Sequence, residues 1–412
     1  MRYNRLYYFL FLLSVSIGSI TAQGLGTPYS RYGYGVLSDN TTSAQRAMGG
    51  IGYAMNSGRQ INVMNPASYA AIDSLTFLFD MGVDLNNLWT SQGEDKGTKL
   101  GGGLDYITLQ FPITKYGGGS IGFLPYSQVG YSFGDKVTNG TTAYQGSGGI
   151  SQVYLGLAAR PLKGLTLGIN IGYLFGDIKH DDYAYTSTGS IGLFERTMEV
   201  SDYSLDIGVQ YSYQINKNNR LTAGVTFSPG KSFHGHSYAI NYDSSSDSEP
   251  DTIRSISMKH HYTKPFSLGI GLNWGWNDRL MIEADVTYQP WSKAKFTGLD
   301  ENDRTRLVDR YKFALGAQYC HNPRGDYASR IQYRAGFSAT RDYWSIFGNS
   351  IREYGIHAGV GLPAPSSKTM INLSLGYQLR TSTPNTLIKE KYFFITLGVN
   401  FNELWFWQNK IR

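Results

Sequence analysis

Leu165-Thr166-Leu167-Gly168-Ile169-Asn170-Ile171-Gly172-Tyr173-Leu174-Phe175 alternates without a break. Leu165, Leu167, Ile169, Ile171, Tyr173 and Phe175 fall on one side of an extended chain, and Thr166, Gly168, Asn170 and Gly172 on the other. The same reading sets Tyr203, Leu205, Ile207, Val209, Tyr211 and Tyr213 against Ser204, Asp206, Gly208, Gln210 and Ser212. It sets Phe266, Leu268, Ile270, Leu272 and Trp274 against Ser267, Gly269, Gly271 and Asn273, and Ile371, Leu373, Leu375, Tyr377 and Leu379 against Asn372, Ser374, Gly376, Gln378 and Arg380. Strands of water-soluble sandwiches usually run to about five or six residues, whereas one that crosses a bilayer needs about nine to eleven. Apolar faces of this length are therefore expected to meet lipid.

Fourteen such segments are legible, at about residues 74–85, 103–112, 119–133, 150–160, 164–177, 196–215, 219–242, 252–276, 278–296, 306–321, 329–340, 351–362, 369–380 and 391–401. The number is even. The even-numbered connections are short, as at Pro161 to Lys163, Asn216 to Asn218 and Asn277, and residues 322–328 and 363–368 remain compact. The odd-numbered ones, at residues 86–102, 134–149, 178–195 and 243–251, are longer and polar. Short turns on one rim and long loops on the other belong to outer-membrane barrels. Trp274 and Trp276 beside Asn277, and Trp291 at the far end of the next segment, are placed by this pattern at the membrane interfaces. The expected fold is all-β: a fourteen-stranded antiparallel transmembrane β-barrel at residues 74–401, preceded by a plug at 23–73 and followed by a periplasmic tail at 402–412.

Composition excludes the main alternatives. The 412 residues include 49 Gly, 14% aromatics and only 17% charged residues, with a mean hydropathy of −0.30. Beyond the N-terminus no apolar run approaches the ~20 residues of a membrane helix, so a bundle of such helices is excluded. The low mean hydropathy does not count against a barrel, whose lipid-facing residues alternate with polar ones. Arg2 and Arg5, the apolar stretch Leu6 to Val15 and the small residues up to Thr21-Ala22 have the layout of a secretory signal at residues 1–22. Its removal directs the mature chain to the outer membrane and lowers the net charge from +6 to +4. No cluster of Lys and Arg suggests a nucleic-acid partner. The single cysteine, Cys320, rules out an internal disulfide.

A ring of fourteen strands is too wide to be filled by wall side chains alone, so the segment ahead of the first strand is expected to occupy the lumen. That segment reads Tyr29-Ser30-Arg31-Tyr32-Gly33, then Ala47-Met48-Gly49-Gly50-Ile51-Gly52-Tyr53-Ala54, then Asn65-Pro66-Ala67-Ser68-Tyr69. A G-G-x-G-x-A stretch followed by Asn-Pro-Ala at the barrel entrance resembles the FadL-type long-chain fatty acid transporter family, in the form met in Bacteroidota. The resemblance covers the whole mature chain and implies a fourteen-stranded barrel with an N-terminal hatch. It also implies a route for hydrophobic molecules, from an outer cleft into the lumen and then sideways at a kink in the third strand. Asn65, Pro66, Ala67 and Pro125 would lie on that pathway. Pro125, in Phe123-Leu124-Pro125-Tyr126, fits the kink because proline cannot donate to a ladder; an ordinary bulge is the competing reading.

Two features depart from a hydrophobic conduit. By parity Asp80, Asp84, Asp206, Glu283, Asp285, Lys312, Arg334 and Arg380 face the lumen, where a network of opposite charges bracing wall and plug is preferred over a solute-selectivity role. The tail Leu404-Trp405-Phe406-Trp407 is aromatic and lies outside the barrel, as expected of an interface anchor or a partner-binding element.

Signals for enzymatic chemistry are weak. Gly118-Gly119-Ser120-Ile121-Gly122 matches G-x-S-x-G but enters a strand where a nucleophile elbow needs a strand, a sharp turn and a helix. His234 and His236, with His260 and His261, are read as isolated rim histidines rather than metal ligands, and Asp300 to Asp303 lacks the spacing of a calcium loop. No catalytic residue, metal or cofactor is expected. Two functions remain: passive uptake of small hydrophobic compounds, or a non-transporting subunit of an outer-membrane assembly or secretion complex. The first has lipid and a hydrophobic small molecule as partners, the second other outer-membrane or periplasmic proteins.

Overall fold

The computed structural model describes residues 26–138, 140–187, 191–244, 251–257, 262–296, 305–364 and 368–404. The expected signal at 1–22, His260, His261, Asp300 to Asp303 and Trp405 to Trp407 lie outside them. Fourteen strands form the wall: β1 (Thr76–Gln92), β2 (Asp95–Thr114), β3 (Gly117–Val137), β4 (Gly140–Leu162), β5 (Leu165–Thr186), β6 (Ile191–Gln214), β7 (Asn219–Ser228 and Ser237–Ser244) and β8 (Asp251–Ser257 and Ser267–Trp276). They continue as β9 (Leu280–Gln289), β10 (Thr305–Leu307 and Arg310–Cys320), β11 (Gln332–Ile346), β12 (Asn349–Pro363), β13 (Met370–Thr383) and β14 (Lys389–Leu404). Each pairs antiparallel with its sequence neighbours, and β14 returns to β1 from Thr76 opposite Leu404 to Ser91 opposite Lys389. That last pairing closes the ring and removes the exposed sheet edge.

The alternation sets the facing. On β5, Leu167, Ile169, Ile171 and Tyr173 are exposed, while Thr166 and Asn170 are buried. On β13, Leu375 and Tyr377 are exposed, and Asn372 and Ser374 are buried. With no water to satisfy backbone groups in lipid, a closed ladder is the arrangement that lets these polar–apolar strands span.

Two expectations need correction. The segments at 86–102, 134–149 and 178–195 are not long loops. β1 and β2 continue pairing to Gln92 opposite Asp95, and β3 and β4 to Val137 opposite Gly140; β5 and β6 continue to Tyr185 opposite Ile191. Above the bilayer both faces of a strand meet water, so the apolar alternation disappears while the backbone ladder persists. Trp291 does not sit at an interface either. β9 ends at Gln289, and Pro290 turns the chain inward, leaving Trp291 only 1% exposed among other aromatic rings.

β7, β8 and the chain after β9 bend inward together. Lys231 and Ser232 pair with Lys264 and Thr263, the Phe233 N–H donates to the Tyr262 carbonyl, and the Thr263 N–H donates to the Lys295 carbonyl. Phe233, Trp291 and Phe296 thereby surround Tyr34, with ring centroids 5.4, 5.7 and 5.0 Å away. Tyr343 lies against Trp291 with ring centroids 4.5 Å apart and planes tilted by 31°, and it donates its hydroxyl to the Gly35 carbonyl at 2.6 Å. An aromatic layer thus crosses the interior on the side of the long ribbons.

Candidate functional site

Residues 26–75 pack against the inward face of the wall. Their regular structure is brief: 3₁₀ turns at Pro28–Arg31 and Pro66–Ala71 and one helical turn at Ser43–Arg46, capped reciprocally by Thr42 and Gln45. Gly49 holds a positive φ of 77°, and a Cβ there would lie 2.6 Å from the Phe337 carbonyl oxygen of β11. Glycine is therefore needed for the turn and for the close approach to the wall.

The G-x-A end of that motif grips two carboxylates. Gly52 and Tyr53 donate their N–H groups to Asp285 at 2.7 and 3.0 Å, and Ala54 donates to Glu283 at 2.9 Å. Asn273 of β8 donates to the other Glu283 oxygen at 2.6 Å, and the Tyr53 hydroxyl lies 2.8 Å from that of Thr287. Buried carboxyl groups so bonded act as anchors, since their hydrogen-bonding capacity would otherwise go unmet.

Ion pairs hold the rest of the segment. Arg46 lies 2.7 Å from Asp105 of β2, and Asp39 lies 2.6 Å from Lys312 and 3.3 Å from Arg310 of β10. Burial alone would raise the Asp39 pKa, but the two cations outweigh it and hold the carboxyl below its usual range. Arg380 bridges Glu353 at 2.6 Å and Glu390 at 3.1 Å, and Thr27 donates to Glu390 at 2.5 Å. Of the lumen-facing charges expected from parity, Glu283, Asp285, Lys312 and Arg380 enter these contacts. Asp80 instead accepts from Tyr106 and Asn400, Arg334 donates to Gln318 and Asn372, and Asp206 accepts from Ser228.

Asn65 caps the Pro66–Ala71 turn. Its side chain accepts from the Ala67 N–H at 3.1 Å and donates to the carbonyls of Tyr53 at 2.6 Å and of Val209 on β6 at 3.3 Å. Asn65 and Ala67 are fully buried, and a Cβ on Gly208 would collide with Asn65. The tripeptide staples the segment to the wall and is absent from the lining of the inner cavity of about 140 Å³, whereas Pro125 is part of it. The same cavity is lined by the charged side chains of Asp39, Arg46, Asp105, Glu353 and Arg380 on one hand and by Val36, Leu37, Leu88 and Phe394 on the other, so its lining is mixed.

Around Pro125 the wall parts. β3 pairs with β4 throughout its length, but with β2 only as far as Phe123 opposite Ile107. β2 stays with β1 through a bulge at Asp105, and β3 bulges at Tyr126 beside Pro125. Val36 and Leu37 occupy the free edge of β3, opposite Gln128 and Ser127, and the Ser38 N–H donates to the Tyr126 carbonyl at 2.9 Å. This inner strand was not legible in the sequence, where Val36-Leu37 is too short to show periodicity.

The remaining sequence candidates separate. Ser120 is a buried strand residue that donates to the Leu109 carbonyl at 2.7 Å. His234 is exposed and lies 3.2 Å from Asp202. Among the described residues, no three side chains of His, Cys, Asp or Glu form a metal-holding group. Leu404 pairs through its backbone with Thr76.

Solved structures of similar fold include hydrocarbon channels. The Pseudomonas putida toluene transporter TodX has a TM-score of 0.63 at 14% identity, with 90% of this chain and 100% of that chain covered. The Ralstonia pickettii toluene transporter TbuX has 0.58 at 14% identity, covering 88% and 98%, and a Pseudomonas aeruginosa FadL homologue has 0.62 at 12%, covering 89% and 99%. At such identities the likeness establishes a FadL-type barrel fold and leaves the activity to the site. A comparison with curated proteins finds no match. The BamG family model matches residues 4–412, almost the entire sequence, and the chain therefore belongs to the BamG family.

Proposed function

We propose that this chain is a non-enzymatic structural subunit of an outer-membrane protein complex, with residues 26–73 acting as a plug. The observation that carries this reading is the fastening of the N-terminal segment by ion pairs at Asp39 and Arg46, by the Thr27 hydroxyl on Glu390, and by backbone amides held by Glu283 and Asp285. A conduit for hydrophobic solutes needs a continuous apolar path, and a cavity of about 140 Å³ whose apolar lining is interrupted by Asp39, Arg46, Asp105, Glu353 and Arg380 offers a poor one. The family name is compatible with a place in a complex. The test is affinity purification of the tagged full chain from outer membranes in mild detergent. Companions at fixed stoichiometry support the reading, and an isolated barrel opposes it.

A second reading, passive uptake of small hydrophobic compounds, is favoured by the parting of β2 from β3 beyond Phe123. In that case Pro125 and the edge occupied by Val36 and Leu37 would border a lateral exit. Toluene is named for TodX and TbuX, and a compound of that kind would be the first substrate to test.

A further inference from the structure

The end of the barrel that carries the short turns opens into a bowl of about 1230 Å³. Short turns mark that end as periplasmic. Arg59 of the N-terminal segment lines the bowl together with Lys217, Arg279, Arg324, Arg330 and Lys368 from the turns and Arg220 at the start of β7, against Asp73 and Asp278. None of those seven cations makes an ion pair among the described residues, and Arg220 donates only to the Asn56 carbonyl. The interior cations Arg46, Arg310, Lys312 and Arg380, by contrast, each meet a carboxylate. Arg330 Nε is buried without an acceptor, although burial of such a donor is costly. The bowl is therefore a concave surface of net positive charge whose cations lack carboxylate partners among the described residues.

We propose that this bowl receives an extended acidic peptide segment of a periplasmic partner protein, an assignment that rests on the complex-subunit reading. Charge complementarity selects the sign, because a concave surface of net positive charge draws in and orients an anionic ligand. The spread of the cations selects a chain over a small anion. They come from the N-terminal segment, the β6–β7, β8–β9 and β10–β11 turns and the β12–β13 connection, so one phosphate cannot engage them together. A lipid headgroup is disfavoured because these side chains line the mouth of the lumen. Guanidinium groups supply paired donors that suit successive carboxylates.

The test uses the purified full chain in nanodiscs and a dye-labelled peptide of repeating Glu-Ser, with fluorescence anisotropy as the readout. Binding is expected to weaken as salt is raised from about 0.05 to 0.2 M, and to fall about tenfold or more when Arg59→Glu and Arg330→Glu are combined. The pair Lys217→Glu and Lys368→Glu, both on exposed turns, should give the same loss and guards against misfolding of the first variant. Wild-type affinity in both variants, equal binding of a Lys-Ser peptide, or full displacement by millimolar inorganic phosphate would overturn the assignment. So would peptide binding that disappears when phosphatidylcholine in the disc is replaced by phosphatidylglycerol, because the cations would then be serving the lipid. The assay needs no companion protein, so its failure is distinct from failure to recover a complex.

Discussion

Val36 stands opposite Gln128, and through this pair the N-terminal segment supplies the neighbour that β3 lacks once β2 has left it. Gly35 makes the approach possible: its φ is 80°, and a Cβ would lie 2.3 Å from the Gln128 carbonyl oxygen. Opposed residues in an antiparallel pair have Cα atoms about 4.5 to 5.5 Å apart, which is within disulfide range. A Val36→Cys, Gln128→Cys variant should therefore crosslink under mild oxidation, detected by a gel shift under non-reducing conditions. The added change Gly35→Ala should abolish the link. Preferential crosslinking of Val36→Cys to Leu104→Cys on β2 would show that the inner strand is elsewhere.

The wall predicts a contrast on β13. Leu375 faces lipid, so Leu375→Arg should destabilise the barrel by about 2 to 4 kcal/mol. Ser374, which parity suggests as a mild control, is unsuitable because it is fully buried against the interior. Gln378 borders the inner cavity with Glu353, and Gln378→Arg should be tolerated better. Urea unfolding of the barrel in detergent distinguishes them; equal losses would contradict the facing.

Asp39 gives the seating of the N-terminal segment a pH dependence. Because its folded pKa lies below the ordinary value, its contribution is fully present above about pH 4 and lost only as the pH falls through the lower folded value. Limited proteolysis should find the segment protected at neutral and mildly acidic pH and released only in stronger acid. Asp39→Asn should loosen it at neutral pH. Loosening of the native chain near neutrality would mean that the Lys312 and Arg310 contacts do not hold the segment.

Much of the fold was legible because lipid enforces period two over whole strands: the faces of Leu165 to Phe175 and of Ile371 to Leu379 could be assigned residue by residue. Strand ends were not, because the ribbons beyond Asn86 or Gly134 pair without an apolar face. The charged lumen at Glu283 and Asp285 was anticipated from parity, but its partners were hidden. Those are backbone amides of Gly52 to Ala54, and an amide leaves no mark on residue type. Trp291 was misplaced for a similar reason, since aromatic rings suit both a membrane interface and a buried cluster.

Removal of residues 26–73 should raise single-channel conductance in planar bilayers, because a fourteen-stranded wall encloses more space than its own side chains fill. Pro125→Val alone should leave conductance and strand parting unchanged. The bulge at Asp105 already directs β2 away, and Val36 and Leu37 already occupy the edge of β3. Unchanged conductance after the deletion would mean that the wall-derived rings Phe233, Trp291, Phe296 and Tyr343 close the lumen without the N-terminal segment.

The central claim is that the chain works by holding partners, and mass-resolved purification of the tagged protein from native outer membranes tests it most directly. Wild type and Pro125→Val should both recover the same companions in constant ratio, while a chain truncated after Leu404 recovers fewer. Recovery of the barrel alone, together with Pro125-dependent entry of toluene into proteoliposomes, would contradict the account.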